Sequence, residues 1–129
     1  MIEVATELGL PSYAFFTSSA AFLGLMFYAQ MIKDDHDIDI SDFKDSNTLL
    51  PVLTYLNPLP AKVLPRTMLD KDGRLHIPLS TARMIRQAKG IIVNTFLELE
   101  SPPIKSLGNE NGVPPLYPVG PIINLNQEL

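Results

Sequence analysis

Hydrophobic and polar positions along this chain change period several times, and each change marks an element. Val4, Ala5 and Leu8 recur at helical spacing opposite Glu3 and Glu7, which predicts a short helix over Met1–Leu8 closed by Gly9. Pro11 then opens an aromatic run, Ser12–Phe16, with the composition of a buried strand. Thr17, Ser18 and Ser19 supply caps for a second helix, from about Ser19 to Lys33. That helix is apolar nearly all round, through Phe22, Leu23, Leu25, Met26, Phe27, Met31 and Ile32, so it is buried on several sides or lines a pocket with one face. The aspartates between Asp34 and Asp45 predict a solvated surface loop. Between Pro51 and Pro65, prolines set among Leu, Val and Tyr exclude a helix or a central strand and leave an extended apolar loop.

Helical periodicity returns after Pro78. Ala82, Ile85 and Ala88 form a stripe bordered by Leu79 and Met84, Arg83, Arg86 and Gln87 face away, and Lys89-Gly90 closes the element. Gly90–Asn94 reads as a buried strand of the parallel type. Thr95 and Glu98 have the spacing of a capping box, and Pro102 and Pro103 interrupt the helix that follows or move its start to their own position. The stretch Gly112–Pro121, rich in Pro and Gly, reads as a connector. Alternating helices and strands predict an α/β fold with a parallel sheet. Two strands alone do not make a stable domain, so the pattern belongs to part of a larger unit.

Composition narrows the function classes. With 129 residues there is material for one core at most. A formal net charge of -4 leaves no excess of cations to displace counterions from a phosphate backbone, which argues against a nucleic-acid partner. The absence of Cys excludes disulfides, a thiolate nucleophile and Cys-ligated metal, and fits a reduced, cytoplasmic setting. Leu8–Ile32 carries no charge and is long enough to span a bilayer, but Pro11, Ser12, Thr17, Ser18, Ser19 and Gln30 break its apolar surface. Glu3 and Glu7 stand where a signal peptide would be basic, so neither a stable membrane insertion nor a leader is expected.

Four stretches, in order, carry a resemblance. Pro11–Leu23 (PSYAFFTSSAAFL), Asn57–Pro65 (NPLPAKVLP), Lys89–Glu100 (KGIIVNTFLELE) and Leu116–Pro121 (LYPVGP) together resemble the N-terminal domain of plant UDP-dependent glycosyltransferases, glycosyltransferase family 1. The resemblance implies part of a Rossmann-like, parallel-sheet N-terminal domain of a GT-B fold over residues 1–121, with residues 122–129 starting the interdomain linker. Within it, Leu116–Pro121 is similar to the strand leading into that linker. In such enzymes a His base, held by an Asp, deprotonates an acceptor hydroxyl that attacks the anomeric carbon of a UDP-sugar with inversion. The resemblance places that pair before Met1 and the main donor-binding motif after Leu129. No catalytic residue, metal ligand or cofactor is therefore expected in this chain, and UDP-sugar is the donor substrate of the full-length enzyme.

The same resemblance assigns Thr17 to the donor sugar's hydroxyls and Phe22, Met26, Phe27, Val63 and Leu64 to the acceptor pocket. Each has an ordinary alternative: a helix cap for Thr17, core packing for Phe22, Met26 and Phe27, and loop anchoring for Val63 and Leu64. His36 lies among aspartates that favour its protonated form, and neither it nor His76 has metal-ligand spacing. Glu98 and Glu100 fit helix capping and first-turn charge. The expected function is transfer of a sugar, glucose first among them, to a hydroxyl of a small lipophilic phenolic, flavonoid or terpenoid acceptor, with the isolated chain inactive. The alternatives are a non-catalytic binding or decoy module and a single-span membrane protein.

Overall fold

The computed structural model describes residues 1–70, 72 and 74–122. In chain order its elements are α1 (Ile2–Glu7), β1 (Tyr13–Phe16), α2 (Ala20–His36), β2 (Leu49–Leu50), β3 (Leu59–Pro60), α3 (Arg66–Leu69), α4 (His76–Arg86), β4 (Gly90–Val93), α5 (Leu97–Gly108) and β5 (Leu116–Pro118), with 3-10 turns at Ile40–Phe43 and Ala61–Val63. The strands β1, β4 and β5 form a parallel sheet in that order, with Ala14 beside Ile91 and Ile91 beside Leu116. The class is α/β, as the alternation of elements predicts. Residues 123–129, assigned above to the linker, lie outside the described residues.

Side chains alternate across the sheet. Ala14, Phe16, Ile91, Val93 and Leu116 pack with Leu23, Met26 and Phe27 of α2, Ala82 and Ile85 of α4, and Leu107 of α5. Tyr13, Phe15 and Tyr117 remain about half exposed, with the two tyrosine rings 6.5 Å apart. A second core forms on another side of α2, where Leu25, Ala29 and Ile32 meet Ile40, Leu50, Val52, Ala61, Leu64, Met68, Leu75 and Leu79. Two cores on one helix explain why α2 is apolar nearly all round. Among the described residues no helix is long and apolar enough to cross a membrane.

Gly24 lets the second core close. A Cβ there would lie 2.1 Å from the Thr54 Cγ2, so the chain segment that carries Thr54 approaches α2 closely only because residue 24 has no side chain. The buried Thr54 hydroxyl donates to the Ala21 carbonyl at 2.9 Å.

Four sequence expectations need correction. The stretch that local pattern reads as a connector contains a third strand, where the resemblance expects one: β5 tolerates its prolines because Pro115 contributes only its carbonyl, accepting from Ile91 N–H at 2.8 Å, while Val119 N–H donates to Val93 O at 3.0 Å. The segment from Pro51 to Pro65 is more structured than a loop, since it contains β3, which pairs antiparallel with β2 just before it, and the 3-10 turn Ala61–Val63. Helix α2 continues through Asp34 to His36 and ends at Asp37 in the left-handed conformation (φ 53°), followed by the 3-10 turn with buried Ile40 and Ser41. Its extra turn is held by Arg83 of α4, whose Nε donates to Asp34 at 3.0 Å. Finally, Arg86 does not face solvent. It lies 4.3 Å over the Phe27 ring and donates to Gln30 at 2.6 Å and Glu110 at 3.2 Å.

Candidate functional site

The carboxyl ends of β1 and β4 lie side by side, because Phe16 pairs with Val93. Each strand runs into a polar turn that leads to a helix: Thr17-Ser18-Ser19 before α2, and Asn94-Thr95-Phe96 before α5. Ligands of parallel α/β sheets sit in this position, where strand ends and helix starts converge. An open pocket of about 840 Å³ occupies it, lined by both turns, by Thr54–Pro60 from the β2–β3 connection, and by Leu99 and Glu100 of α5.

The start of α2 is capped twice. The Ser19 hydroxyl accepts from Phe22 N–H at 3.2 Å, which is the usual N-cap. The two amides before that have no partner within the helix, and Glu100 takes both: its carboxylate accepts from Ala20 N–H at 2.9 Å and from Ala21 N–H at 3.1 Å. It also accepts a hydrogen bond from the Thr95 hydroxyl. The expected Thr95–Glu98 capping box is thus absent. Phe96 is the N-cap of α5 and caps with no side chain, Glu98 is exposed, and Glu100 reaches across to another helix. It is free to do so because the backbone leaves helical geometry at Glu100 (φ -120°, ψ 33°), and Pro102 and Pro103 begin the next helical stretch.

The second turn is clamped from below. Asn94 N–H donates to Phe16 O at 3.0 Å, the Asn94 carbonyl oxygen Oδ1 accepts from Ile122 N–H at 2.9 Å, and Gly120 N–H donates to Thr95 O at 2.7 Å. The wall from Thr54 to Pro60 brings Tyr55, whose phenol is pushed above its usual pKa by burial and, next, by the charge of Glu100. It stays a protonated donor at neutral pH. The lining thus combines hydroxyl and amide groups from Thr17, Ser18, Asn57 and Asn94 with apolar surface from Leu59, Phe96 and Leu99, and among the described residues it contains one carboxylate and no Lys, Arg or His. Such a pocket suits a neutral polyhydroxyl or aromatic group.

Of the residues singled out from sequence, Thr17 is exposed in the lining of this pocket. The others are not brought to it. Met26 and Phe27 are core residues, 4% and 0% exposed, and Phe22 stacks on Phe16 with ring centroids 6.3 Å apart. Leu64 is buried in the second core, while Val63, its neighbour, points outward. The exposed His36 and His76 lie outside the pocket, at the end of α2 and the start of α4. Among the described residues no group of three or more His, Asp or Glu is placed to hold a metal ion. Sequence reasoning missed Glu100, Tyr55 and Leu99. Only Glu100 left a trace, as an acid two residues before a Pro-Pro break.

Comparison with known proteins gives a consistent result. No family model matches the chain. Anthocyanidin 3-O-glucosyltransferase 6 of Manihot esculenta is 55% identical over 99% of the chain, which spans 33% of that protein. The crystal structure of a UGT transferase from Siraitia grosvenorii in complex with UDP superposes with a TM-score of 0.91 at 37% identity, covering 99% of this chain and 28% of that one. UGT2 of Phytolacca americana, solved with UDP-2-fluoro-glucose and pterostilbene, gives a TM-score of 0.81 at 34% identity over 96% of the chain and 28% of its own length. The chain therefore spans about a third or less of these relatives.

Proposed function

Because the chain belongs by sequence and fold with the plant UDP-glycosyltransferases, as part of their GT-B fold, we propose that it forms the acceptor-side portion of an enzyme that transfers glucose from UDP-glucose to a small phenolic. The reaction is a displacement: a deprotonated acceptor oxygen forms a bond to the anomeric carbon as the bond to UDP breaks, with inversion. Holding both partners in line supplies much of such a rate enhancement. This chain's share is the positioning. The observation that carries the reading is the pocket at the ends of β1 and β4, whose lining combines hydroxyl and amide groups with apolar surface and, among the described residues, has no cation.

In this reading the Thr17 hydroxyl, at the mouth of the pocket, contacts the sugar's hydroxyls. Leu59, Phe96 and Leu99 supply the flat apolar surface for the aglycone, and Tyr55 donates a hydrogen bond to one of its oxygens. Phe22, Met26, Phe27 and Leu64 act one layer below, by fixing α2 and the β2–β3 connection beneath those walls. The proton acceptor and the diphosphate site come from polypeptide beyond these residues, so the chain binds but does not turn over.

The test titrates the purified chain with pterostilbene, following the fluorescence of its tyrosines, which no Trp obscures. Saturable one-site binding is expected, weakened at least about tenfold in Leu99→Asp, the loss of roughly 1.4 kcal/mol of apolar contact. UDP-glucose consumption stays at the no-protein level. No binding would refute the pocket assignment, and saturable transfer by the chain unaided would refute the division of labour.

A further inference from the structure

We propose that Glu100 is the positioning residue of this pocket: it ties the turn carrying Thr17 to the turn carrying Asn94 and Phe96, and its carboxylate closes the amide end of α2 to anionic ligand groups. The proposal deepens the functional reading above and rests on it for the identity of the ligand.

A helix start is a ready anion site, because its first amides point outward and its dipole favours negative charge. Helix α2 has 17 residues and its N-cap Ser19 lies in the pocket lining, so its first amides would otherwise be open to any anion that enters here. In this chain the end is already filled. Glu100 comes from 80 positions along the sequence to take the Ala20 amide, and also takes the neighbouring Ala21 amide. Ser19 takes the Phe22 amide, so the first three helical N–H groups are all engaged inside the protein. Glu100 is 9% exposed, and its carboxylate also holds the Thr95 hydroxyl of the other turn. One side chain thus joins the two loops that form the pocket floor. With no cation among the described lining residues to offset its charge, a diphosphate gains nothing at this wall, whereas neutral sugar hydroxyls and an aromatic ring meet no penalty.

The experiment compares wild type with Glu100→Ala in the full 129-residue chain, using sodium phosphate and sodium acetate as anion probes against sodium chloride at matched ionic strength. Glu100→Ala should melt lower by about 5 °C or more. Phosphate or acetate in the tens of millimolar should recover most of that loss and shift the Ala20 and Ala21 amide resonances saturably. Wild type should show neither effect. Equal anion responses in the two proteins, or none in Glu100→Ala, would overturn the proposal.

If Glu100→Ala does not fold, Thr95→Val decides the tie between loops. It leaves the carboxylate on α2, so the Ala20 and Ala21 amides stay protected while hydrogen exchange at Gly120, whose N–H donates to Thr95 O, rises at least about tenfold, a change of about 1.4 kcal/mol in local opening. Unchanged exchange at Gly120 would overturn the tie. Glu100→Gln keeps the shape and loses the charge; Ala20 and Ala21 shifts that match wild type in every anion would overturn the role of charge. None of these readouts uses a sugar donor or acceptor. Failure of pterostilbene binding therefore counts against the functional reading alone.

Discussion

Replacing Gly24 by Ala separates two physical effects that predict opposite signs. Helix propensity alone favours Ala over Gly inside α2 by about 1 kcal/mol. The packing says otherwise. The new methyl would stand 2.1 Å from Thr54 Cγ2, 2.3 Å from Thr54 Oγ1 and 2.7 Å from Thr54 Cβ, where ordinary contact begins at 3.4 Å. Helix α2 cannot retreat, since both its flanks are buried in the two cores. Thr54 must move instead, which breaks its hydrogen bond to Ala21 O and strains the segment that carries Tyr55. Overpacking costs about 1–3 kcal/mol and the lost hydrogen bond about 1 kcal/mol more. After the propensity gain, Gly24→Ala should destabilise by about 1–3 kcal/mol, read by urea denaturation. Thr54→Ala removes the two closest atoms and should itself cost about 1–2 kcal/mol. The double variant should then fall short of the sum by at least about 1 kcal/mol, because the two closest contacts of the methyl are gone and only that with the residue 54 Cβ, at 2.7 Å, has to relax. Additive costs, or a Gly24→Ala protein more stable than wild type, would refute the close-approach argument.

Three further outcomes follow from other contacts. Arg83 and, next, Gln30 hold the Asp34 carboxyl down at about 2, so its contribution is complete above the ordinary carboxylate value near 4 and is lost as pH falls toward 2. The stability difference between wild type and Asp34→Asn, at most about 1 kcal/mol after solvent screening, should vanish across that window in urea titrations; a difference that persists at pH 2 would contradict the pairing. Arg86→Lys should cost about 1–3 kcal/mol, since an ammonium replaces neither the guanidinium over Phe27 nor its paired bonds to Gln30 and Glu110, and an unchanged urea midpoint would show that contact to be inert. Phe15→Thr on the open sheet face should raise the soluble concentration reached before light scattering appears, with less than about 1 kcal/mol change in stability, whereas a collapse of stability would mean the ring is packed.

Much of the fold was legible because it follows from local periodicity. The stripe Leu79, Ala82, Ile85 and Ala88 is buried as its spacing requires, and the runs Ser12–Phe16 and Gly90–Asn94 contain β1 and β4. What local patterns missed depends on partners distant in sequence. The strand at Leu116–Pro118 lies in a Pro-rich stretch, and only its place at the sheet edge, where the ladder asks little of the prolines' missing N–H groups, makes it a strand. Arg86 has the spacing of a solvent-facing residue, yet Phe27 and Glu110 enclose it from either side.

The site shows the same division more sharply. The place of Thr17 in the pocket lining was legible, because a hydroxyl residue between an aromatic strand and a helix falls at a strand's carboxyl end whatever the rest of the fold does, while its contact with a sugar comes from the family resemblance alone. Met26 and Phe27 were ambiguous for a physical reason: an apolar residue on a helix is equally suited to a pocket wall or a core, and the choice depends on which neighbours arrive. Here α4 and the sheet arrive first and bury both. Glu100 was misread because the capping box is a local rule, and the local rule assigns an acid near a helix start to that helix. The break at Glu100 ahead of Pro102 and Pro103 releases the side chain from its own helix, and the nearest unsatisfied amides then belong to α2. An acid just before a Pro-Pro break, with a hydroxyl-rich helix start elsewhere in the chain, is therefore a pattern to read as a cap between elements, and through that cap as the scaffold of a pocket.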